Sequence, residues 1–238
     1  MAARRQPLHP AVRRAAITWL GAGIIWLALE AFSAAAFPGY SYAKNYISDL
    51  GVPLSAGGQG AVVGSPRHLA MNVNFIAHGL LFLLGGIFAF RASASGTAGR
   101  TRYGFLGLTI VYAVGSTLVG TFHSSAQTVA VGPISLHVLG AGLAIIGGNA
   151  AIIVAGLNAR RLGAANSYGT ASVTVGTLGL LCLAILQAGA PFGLIGLWER
   201  GAVYSITLWE IGTGITYLLA TRRQGSDDGV QRAIEGAA

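Results

Sequence analysis

The chain has 238 residues, of which 53% are hydrophobic and only 9% are charged. So few charged residues cannot cover the surface of a water-soluble domain, and the apolar excess must therefore face lipid. The formal net charge of +8 does not indicate nucleic-acid binding, because the basic residues form short clusters between long apolar runs. The single cysteine, Cys182, excludes a disulfide framework and a zinc ribbon.

Six apolar runs are long enough to cross the hydrocarbon core of a membrane, which takes about 20 helical residues. They lie at residues 15–37, 69–90, 103–122, 136–157, 168–190 and 202–220. They predict an all-α, polytopic membrane protein whose one domain, residues 15–221, is a bundle of six transmembrane helices. We expect residues 1–14 to be a basic cytoplasmic N-terminus and residues 222–238 to be a disordered cytoplasmic tail.

The basic residues are distributed unequally between the two ends of these spans. Three lie at one end: Lys44, Arg67 and Arg200. Twelve lie at the other end: Arg4, Arg5, Arg13, Arg14, Arg91, Arg100, Arg102, Arg160, Arg161, Arg222, Arg223 and Arg232. Because basic flanks stay in the cytoplasm, both termini are predicted there and the long loop 38–68 outside.

Fourteen of the fifteen basic residues are arginine and alanine and glycine are abundant, which favours a bacterial protein in the cytoplasmic (inner) membrane. The alternative for the first span is a signal peptide cleaved near residues 33–36, which would leave five spans with the same outer face.

A row of small residues on the fourth span, Gly140, Ala144 and Gly148, recurs at four-residue spacing. In lipid there is no hydrophobic force between helices, so such rows favour close backbone packing. The row therefore predicts a tightly packed bundle.

Ionisable residues are costly inside a membrane, and here they concentrate towards the outer end. This end holds most of the acidic and histidine side chains: Glu30, Asp49, Glu199, Glu210, His68, His78, His123 and His137. Helical spacing places several polar side chains on shared faces: Glu199 with Glu210, Asn74 with His78, and Tyr112 with Ser116 and His123. If these faces converge, they line a polar cavity that opens outwards.

The alternative for each residue alone is interhelical hydrogen bonding without further function. His123 and His137 flank a short outer loop, so the headgroup region is an alternative place for them. Glu199 and Arg200, at a predicted helix start, have the alternative of an interfacial anchor.

The outer loop contains the tyrosine-rich segment GYSYAKNYISDLGVP at residues 39–53. As a short helix it places Tyr42, Tyr46 and Asp49 on one face, with Gly51 as the C-terminal cap and Pro53 just beyond. Such a helix is expected on the outer surface or folded over the mouth of the bundle. A simple interfacial anchor is the alternative.

The string NYISDLG at residues 45–51, the histidine in the second span and LHVLGAGLAIIGG in the fourth span together resemble a known family. This is the uncharacterised prokaryotic membrane family called domain of unknown function 998, and the resemblance covers about residues 15–220. A weaker similarity extends to membrane proteins of the Frag and DRAM type, some of which are tied to lipid remodelling. The resemblance implies the fold and the topology but no activity.

Several motifs of known chemistry do not occur. The sequence has no HExxH, no GxSxG in a strand–turn–helix setting, no Walker loop and no CxxC. No lysine lies within a predicted span, which excludes a retinal Schiff base. We therefore expect no nucleotide and no retinal, while a divalent metal ion stays open.

Three functions fit these residues. The first is a non-catalytic lipid-binding, scaffold or sensor protein whose outer polar pocket holds a headgroup under the tyrosine-rich lid. The second is a membrane-embedded enzyme acting on a lipid or a lipid-linked substrate, with or without a metal. The third is a small proton-coupled transporter with Glu30 and Glu210 as the proton relay. Membrane lipids are the expected partners in each.

The candidate residues for these functions overlap. The catalytic candidates are Asp49, His78 and Glu210, and the candidate metal ligands are His78, His123 and His137. The candidate binding residues are Glu30, Tyr42, Asn45, Tyr46, Ser48, Asp49, Asn74, His78, His123, His137, Glu199 and Glu210.

Overall fold

The computed structural model describes residues 10–56, 62–93, 99–124, 130–131, 134–159 and 164–235. Within these residues the chain forms six α-helices: α1 Pro10–Ala34, α2 His68–Ala92, α3 Thr101–Thr121, α4 Leu136–Leu157, α5 Asn166–Gln187 and α6 Ile195–Glu235. Five of them, α1 to α5, are long and apolar enough to cross a membrane. The prediction of an all-helical, multi-pass membrane protein is thus confirmed, whereas the count of six spans and the orientation stay predictions.

The sixth helix differs from its prediction at both ends. It begins at Ile195 instead of near residue 202, so that Glu199 and Arg200 lie within the helix. These charges and Glu210 make α6 more polar than the other helices, and it is not among the five apolar ones. The helix also continues beyond the predicted end near residue 220 to Glu235, and the disorder expected of the tail stays a prediction.

Some predicted features lie outside the described residues. These are residues 1–9 of the basic N-terminus, residues 57–61 of the long loop, Arg160, Arg161 and residues 236–238.

The helices are arranged as a closed ring. Each helix packs against its neighbours in the sequence, and α6 returns to α1 and also contacts α4. We call the end of the ring that carries the α1–α2 loop the loop end, and the end at which α2 is followed by α3 the opposite end. Large apolar side chains such as Val73 and Leu208 point away from the ring, which suits helices surrounded by lipid.

The loops contain two short antiparallel strand pairs. Strand β1 Ser55–Ala56 pairs with β2 Val62–Val63, and β3 Ala130–Val131 pairs with β4 Ile134–Ser135. The Ser135 hydroxyl then accepts a hydrogen bond from the Val138 N–H and caps the start of α4.

The tyrosine-rich segment forms a 3-10 helix only at Ile47–Gly51. Tyr42 and Tyr46 therefore lie outside the helix, and the predicted common face with Asp49 is wrong. Gly51 is the last helical residue and not the cap, a position that Val52 takes in an extended conformation. The helix starts late because the Asp49 carboxylate accepts the Tyr46 N–H and thereby caps the first turn.

The 3-10 helix packs into the loop end of the bundle. Its residues Ile47 and Leu50 are 1% and 0% exposed, and they belong to a buried apolar cluster with Trp26, Met71 and Phe75. The sequence predicts this segment either on the outer surface or over the mouth of the bundle, and it lies over the mouth.

Small residues bring α3 and α4 together, as the sequence predicts. A Cβ atom on Gly115 would lie 2.6 Å from the carbonyl oxygen of Gly140, and one on Gly140 would lie 2.7 Å from Leu118 Cβ. Distances this short leave no room for a side chain, so both glycines are required for the close approach.

We therefore expect Gly115→Ala to lower the free energy of unfolding by about 1–3 kcal/mol, because the new methyl group meets backbone atoms that cannot move aside. The matched control is Gly107→Ala on the same helix, where a Cβ meets nothing within 4 Å. Denaturation of the two purified variants in detergent measures the difference, and equal stabilities would contradict the packing argument.

Candidate functional site

The predicted site residues do not form one cavity but separate into groups at different depths of the bundle. One group ties the tyrosine-rich segment to α1 and α6, a second lies in the middle of the ring, and a third lines a cavity below the 3-10 helix.

The first group is centred on a buried ion pair. Arg200 donates to Glu30 Oε1 from Nε at 3.1 Å and from Nη2 at 2.9 Å, and the two residues are 5% and 1% exposed. Its remaining donors reach the carbonyl oxygens of Tyr42 and Asn45 and the hydroxyl of Tyr40. We call these five residues the Arg200 latch, since it holds residues 40–45 on the bundle.

The burial of Arg200 and Glu199 contradicts the alternative that these two residues form an interfacial anchor. Arg200 lies in the second turn of α6 and is buried, because the Glu30 carboxylate compensates its charge. Glu30 is bonded through its other oxygen too, since it accepts the Tyr204 hydroxyl at 3.0 Å. The described contacts thus link Glu30 to Arg200 and Tyr204, and none links it to Glu210 as the relay hypothesis would require.

Three residues of this group, Tyr40, Arg200 and Tyr204, are not among the binding residues predicted from the sequence. The Tyr40 hydroxyl accepts from Arg200 and donates to the carbonyl oxygen of Tyr46 at 2.9 Å. No local sequence pattern indicates them, because Arg200 and its partner Glu30 are 170 residues apart. Of the predicted tyrosines, Tyr42 and Tyr46 are 44% and 37% exposed.

Asp49 is the polar centre of the 3-10 helix. Its Oδ2 accepts the Tyr46 N–H at 3.0 Å and the Asn45 amide at 3.4 Å. Burial raises the pKa of Asp49, although these two donors and the charges of His137 and Arg200 act in the opposite direction.

The raised pKa of Asp49 predicts a pH dependence of stability. The folded protein holds the proton more tightly than the unfolded chain, whose pKa is near the ordinary value of 3.8. This contribution is fully present below that value and is lost as the pH rises through the folded pKa. Unfolding curves should therefore show the stability of wild type relative to Asp49→Asn falling with pH in this window.

The matched control for this dependence is Lys44→Gln, since Lys44 is an exposed charge of the same loop. Its stability relative to wild type should be flat over the same pH range. A flat Asp49→Asn difference would contradict the prediction.

The second group is a hydrogen-bonded chain of three side chains in the middle of the ring. His78 Nε2 lies 2.7 Å from Glu210 Oε2, and the Tyr112 hydroxyl lies 2.5 Å from His78 Nδ1. All three side chains are at least 97% buried. A Tyr112 hydroxyl that donates to Nδ1 leaves the ring proton on Nε2, where it faces the carboxylate.

The surroundings of His78 complete this group. The Trp26 ring lies 4.6 Å from the His78 ring, and the Trp26 carbonyl accepts the Asn74 amide at 3.1 Å. Asn74 and His78 thus face inwards together, as their spacing predicts. Glu210 Oε1 and Asn74 Oδ1 have no hydrogen-bond partner among the described residues.

The third group lines a cavity that leaves about 40 Å³ for the centres of water-sized groups. It contains three of the predicted binding residues, Ser48, His137 and Glu199, together with Tyr112 and Ser116. The 3-10 helix forms the roof. Because Tyr112 belongs to both groups, the cavity reaches the buried chain.

Two hydrogen bonds fix the polar walls of this cavity. Glu199 Oε2 accepts the N–H of Ile47 in the roof at 2.5 Å. His137 donates from Nδ1 to the carbonyl oxygen of Phe122 at 2.8 Å. His123 lies beyond the end of α3 at Thr121, so its predicted place on the face of Tyr112 and Ser116 is wrong.

The three candidate metal ligands do not meet at one point. His78 is engaged at both ring nitrogens in the buried chain, whereas His123 and His137 lie near each other at the loop end. In the described part of the chain, no three His, Cys, Asp or Glu side chains are arranged to hold a metal ion.

Comparison with known proteins places the chain in a family. A family model described as "Protein of unknown function (DUF998)" matches residues 20–216, well over half of the 238 residues. No curated protein and no solved structure matches the chain. The weaker similarity to Frag and DRAM type proteins stays a prediction. The match covers all of α2 to α5 and the buried groups described above, and the chain therefore belongs to the DUF998 family.

Proposed function

We propose that this protein binds the ammonium group of a lipid headgroup in the cavity below the 3-10 helix and acts as a sensor of that lipid. The excess of arginine at the opposite end supports an orientation in which the cavity serves the extracytoplasmic leaflet of a bacterial inner membrane with both termini inside. The sixth span of this topology is α6, whose exposed Leu208 and Ile215 suit contact with lipid.

The chemistry of the walls supports an ammonium ligand. Glu199 supplies a carboxylate, while Trp26 and Phe75 supply aromatic rings. Carboxylates and aromatic faces both attract a cation. The space of about 40 Å³ has room for roughly three water-sized groups, such as an ammonium nitrogen and two carbons. The phosphate of the lipid then stays outside.

The observation that carries the sensor proposal is the double role of Glu199. The same carboxylate lines the cavity and accepts the Ile47 N–H of the roof. An ammonium group that binds Glu199 shares the carboxylate with the Ile47 N–H and weakens this hydrogen bond, because both donors draw on the same negative charge. Binding of the ammonium group is therefore coupled to the position of the 3-10 helix, and this position is the signal of the sensor.

The test compares phosphatidylethanolamine with phosphatidylglycerol on the purified protein by native mass spectrometry. Wild type should retain phosphatidylethanolamine preferentially, and Glu199→Gln should reduce this preference about tenfold, because it removes a charge-assisted hydrogen bond. Hydrogen exchange of Ile47–Gly51 should rise with phosphatidylethanolamine in wild type and not in Glu199→Gln.

Lys44→Gln is the control, since it also removes one charge at the loop end but does not line the cavity. It should keep the preference. Retention of phosphatidylethanolamine that Glu199→Gln leaves unchanged, or an equal loss in both variants, would reject the proposal.

One observation favours an enzyme as the second candidate. Tyr112 lines the cavity and is hydrogen-bonded through His78 to Glu210. A hydroxyl, an imidazole and a carboxylate in a chain can move a proton to or from a substrate. Lipid turnover by the purified protein that disappears in His78→Gln, while phosphatidylethanolamine is still retained, would favour this candidate over the sensor.

A further inference from the structure

A second, larger cavity lies at the opposite end of the bundle. It leaves about 170 Å³ for the centres of water-sized groups, and it shares no lining residue with the cavity at the loop end. Its walls come from the start of α1, α3 and α5, from the end of α2 and α4, and from α6 between Trp209 and Tyr217. Because these helix ends lie at one side of the membrane, the cavity opens towards a single leaflet.

The walls of this cavity combine aromatic rings with small aliphatic side chains, and the polar atoms of three of the aromatic residues are hydrogen-bonded elsewhere. Trp19 Nε1 donates to the Phe82 carbonyl oxygen at 3.2 Å, and Trp209 Nε1 donates to Ser172 Oγ at 3.0 Å. The Tyr168 hydroxyl is hydrogen-bonded to Thr213 at 3.1 Å. The cavity therefore presents carbon surfaces, and an apolar cavity of about 150 Å³ is known to stay dry and to take up an apolar guest such as benzene.

The mouth of the cavity has a different chemistry, because it carries the half-buried Arg102. The guanidinium lies 4.8 Å from the ring centre of Phe90 and 4.9 Å from that of Tyr103, and it donates to the Tyr103 hydroxyl at 3.0 Å. The ion pairs found among the described residues are His78–Glu210 and Arg200–Glu30, so Arg102 faces the mouth with its charge uncompensated there.

The surroundings of the mouth are also positive. Arg13, Arg14, Arg91 and Arg100 are exposed at this end. The carboxylates whose side chains the structure describes, those of Glu30, Asp49, Glu199 and Glu210, lie at the loop end or in the middle of the ring. A ligand with a negative group is therefore favoured at this mouth.

We propose that this cavity binds one acyl chain of an anionic phospholipid, with the lipid phosphate on Arg102. The ligand must combine a hydrocarbon chain, which the aromatic walls require, with a negative charge, which the mouth requires. A soluble anion has no apolar group to contact the walls, and a neutral hydrocarbon has no charge to interact with Arg102. The orientation proposed above makes this the cytoplasmic leaflet, but the site itself is independent of the proposed headgroup sensor.

The test measures retention of phosphatidylglycerol and phosphatidylcholine from an equal mixture by native mass spectrometry. Wild type should retain one phosphatidylglycerol preferentially, and Arg102→Gln should lower that preference about five- to tenfold. Lys44→Gln is the matched control, because it removes an exposed basic residue of the loop end that does not line the cavity. It should leave the preference within about twofold, since a distant exposed charge is screened.

Filling the cavity tests the acyl chain separately. Ala155→Phe should abolish retention of both lipids at this site, and the smaller change Ala89→Leu should weaken it if Ala155→Phe fails to fold. Soluble glycerol phosphate should not compete. The proposal is overturned if Lys44→Gln and Arg102→Gln lose the preference equally, if filling the cavity leaves retention unchanged, or if glycerol phosphate competes.

Discussion

Replacing Arg200 with methionine is expected to lower the free energy of unfolding by about 3–5 kcal/mol, because it leaves the Glu30 carboxylate buried without its counter-charge. The same change removes the hydrogen bonds that the Arg200 side chain donates to residues 40–45. Hydrogen exchange of this segment should therefore accelerate under conditions in which the helices stay folded. Denaturation in detergent and exchange mass spectrometry measure the two effects.

The double variant Glu30→Gln with Arg200→Met should recover most of the lost stability, since a neutral buried pair needs no counter-charge. The matched control is Arg67→Met, which removes another arginine at the loop end, one that donates to the Phe32 carbonyl oxygen at 2.6 Å and makes no described ion pair. If both single variants lose the same stability, or if the double variant recovers none, the latch does not stabilise the protein in this way.

Replacing His78 with leucine should also cost about 3–5 kcal/mol, because both Glu210 and Tyr112 lose their partner in the buried middle of the ring. The effect differs from that of Arg200→Met in place: the helices themselves should loosen, while the Arg200 latch stays closed. Thermal unfolding of the purified variant measures the loss, and hydrogen exchange of residues 40–45 should stay at the wild-type rate.

Two variants separate this explanation from a general effect of losing a histidine. His68→Leu at the start of α2 removes a partly exposed histidine and should cost little. The double variant His78→Leu with Glu210→Leu should be more stable than His78→Leu alone, since replacing both partners with apolar groups leaves no charge behind. A double variant that is less stable than His78→Leu would contradict this explanation.

The sequence predicted the helices well where apolar runs end in polar loops. The span at residues 136–157 coincides with α4, and the second predicted span differs from α2 by one residue at its start and two at its end. The prediction from the sequence failed at the start of α6. The adjacent charges of Glu199 and Arg200 indicate the membrane interface unless the partner of the arginine is known. That partner, Glu30, is 170 residues away, and no local pattern connects the two.

The same limit applies to the candidate site. The spacing of Asn74 and His78 correctly predicted a shared inward face, because the helical period depends on nothing else. That His78 meets Glu210, 132 residues later, depends on α6 closing the ring beside α1, which periodicity cannot show. The polar residues divide into separate groups because they lie at different depths of the bundle. The sequence places them all towards one end of the spans and does not show these depths.

Helix α6 runs unbroken from Ile195 to Glu235 and borders both cavities. Glu199 lines one of them, and Trp209 and Tyr217 line the other, so that one continuous helix joins the two proposed sites. If a guest in one cavity tilts this helix, it changes the affinity of the other cavity, and the factor is the same in both directions. The two proposed lipid sites would then be coupled through α6 alone.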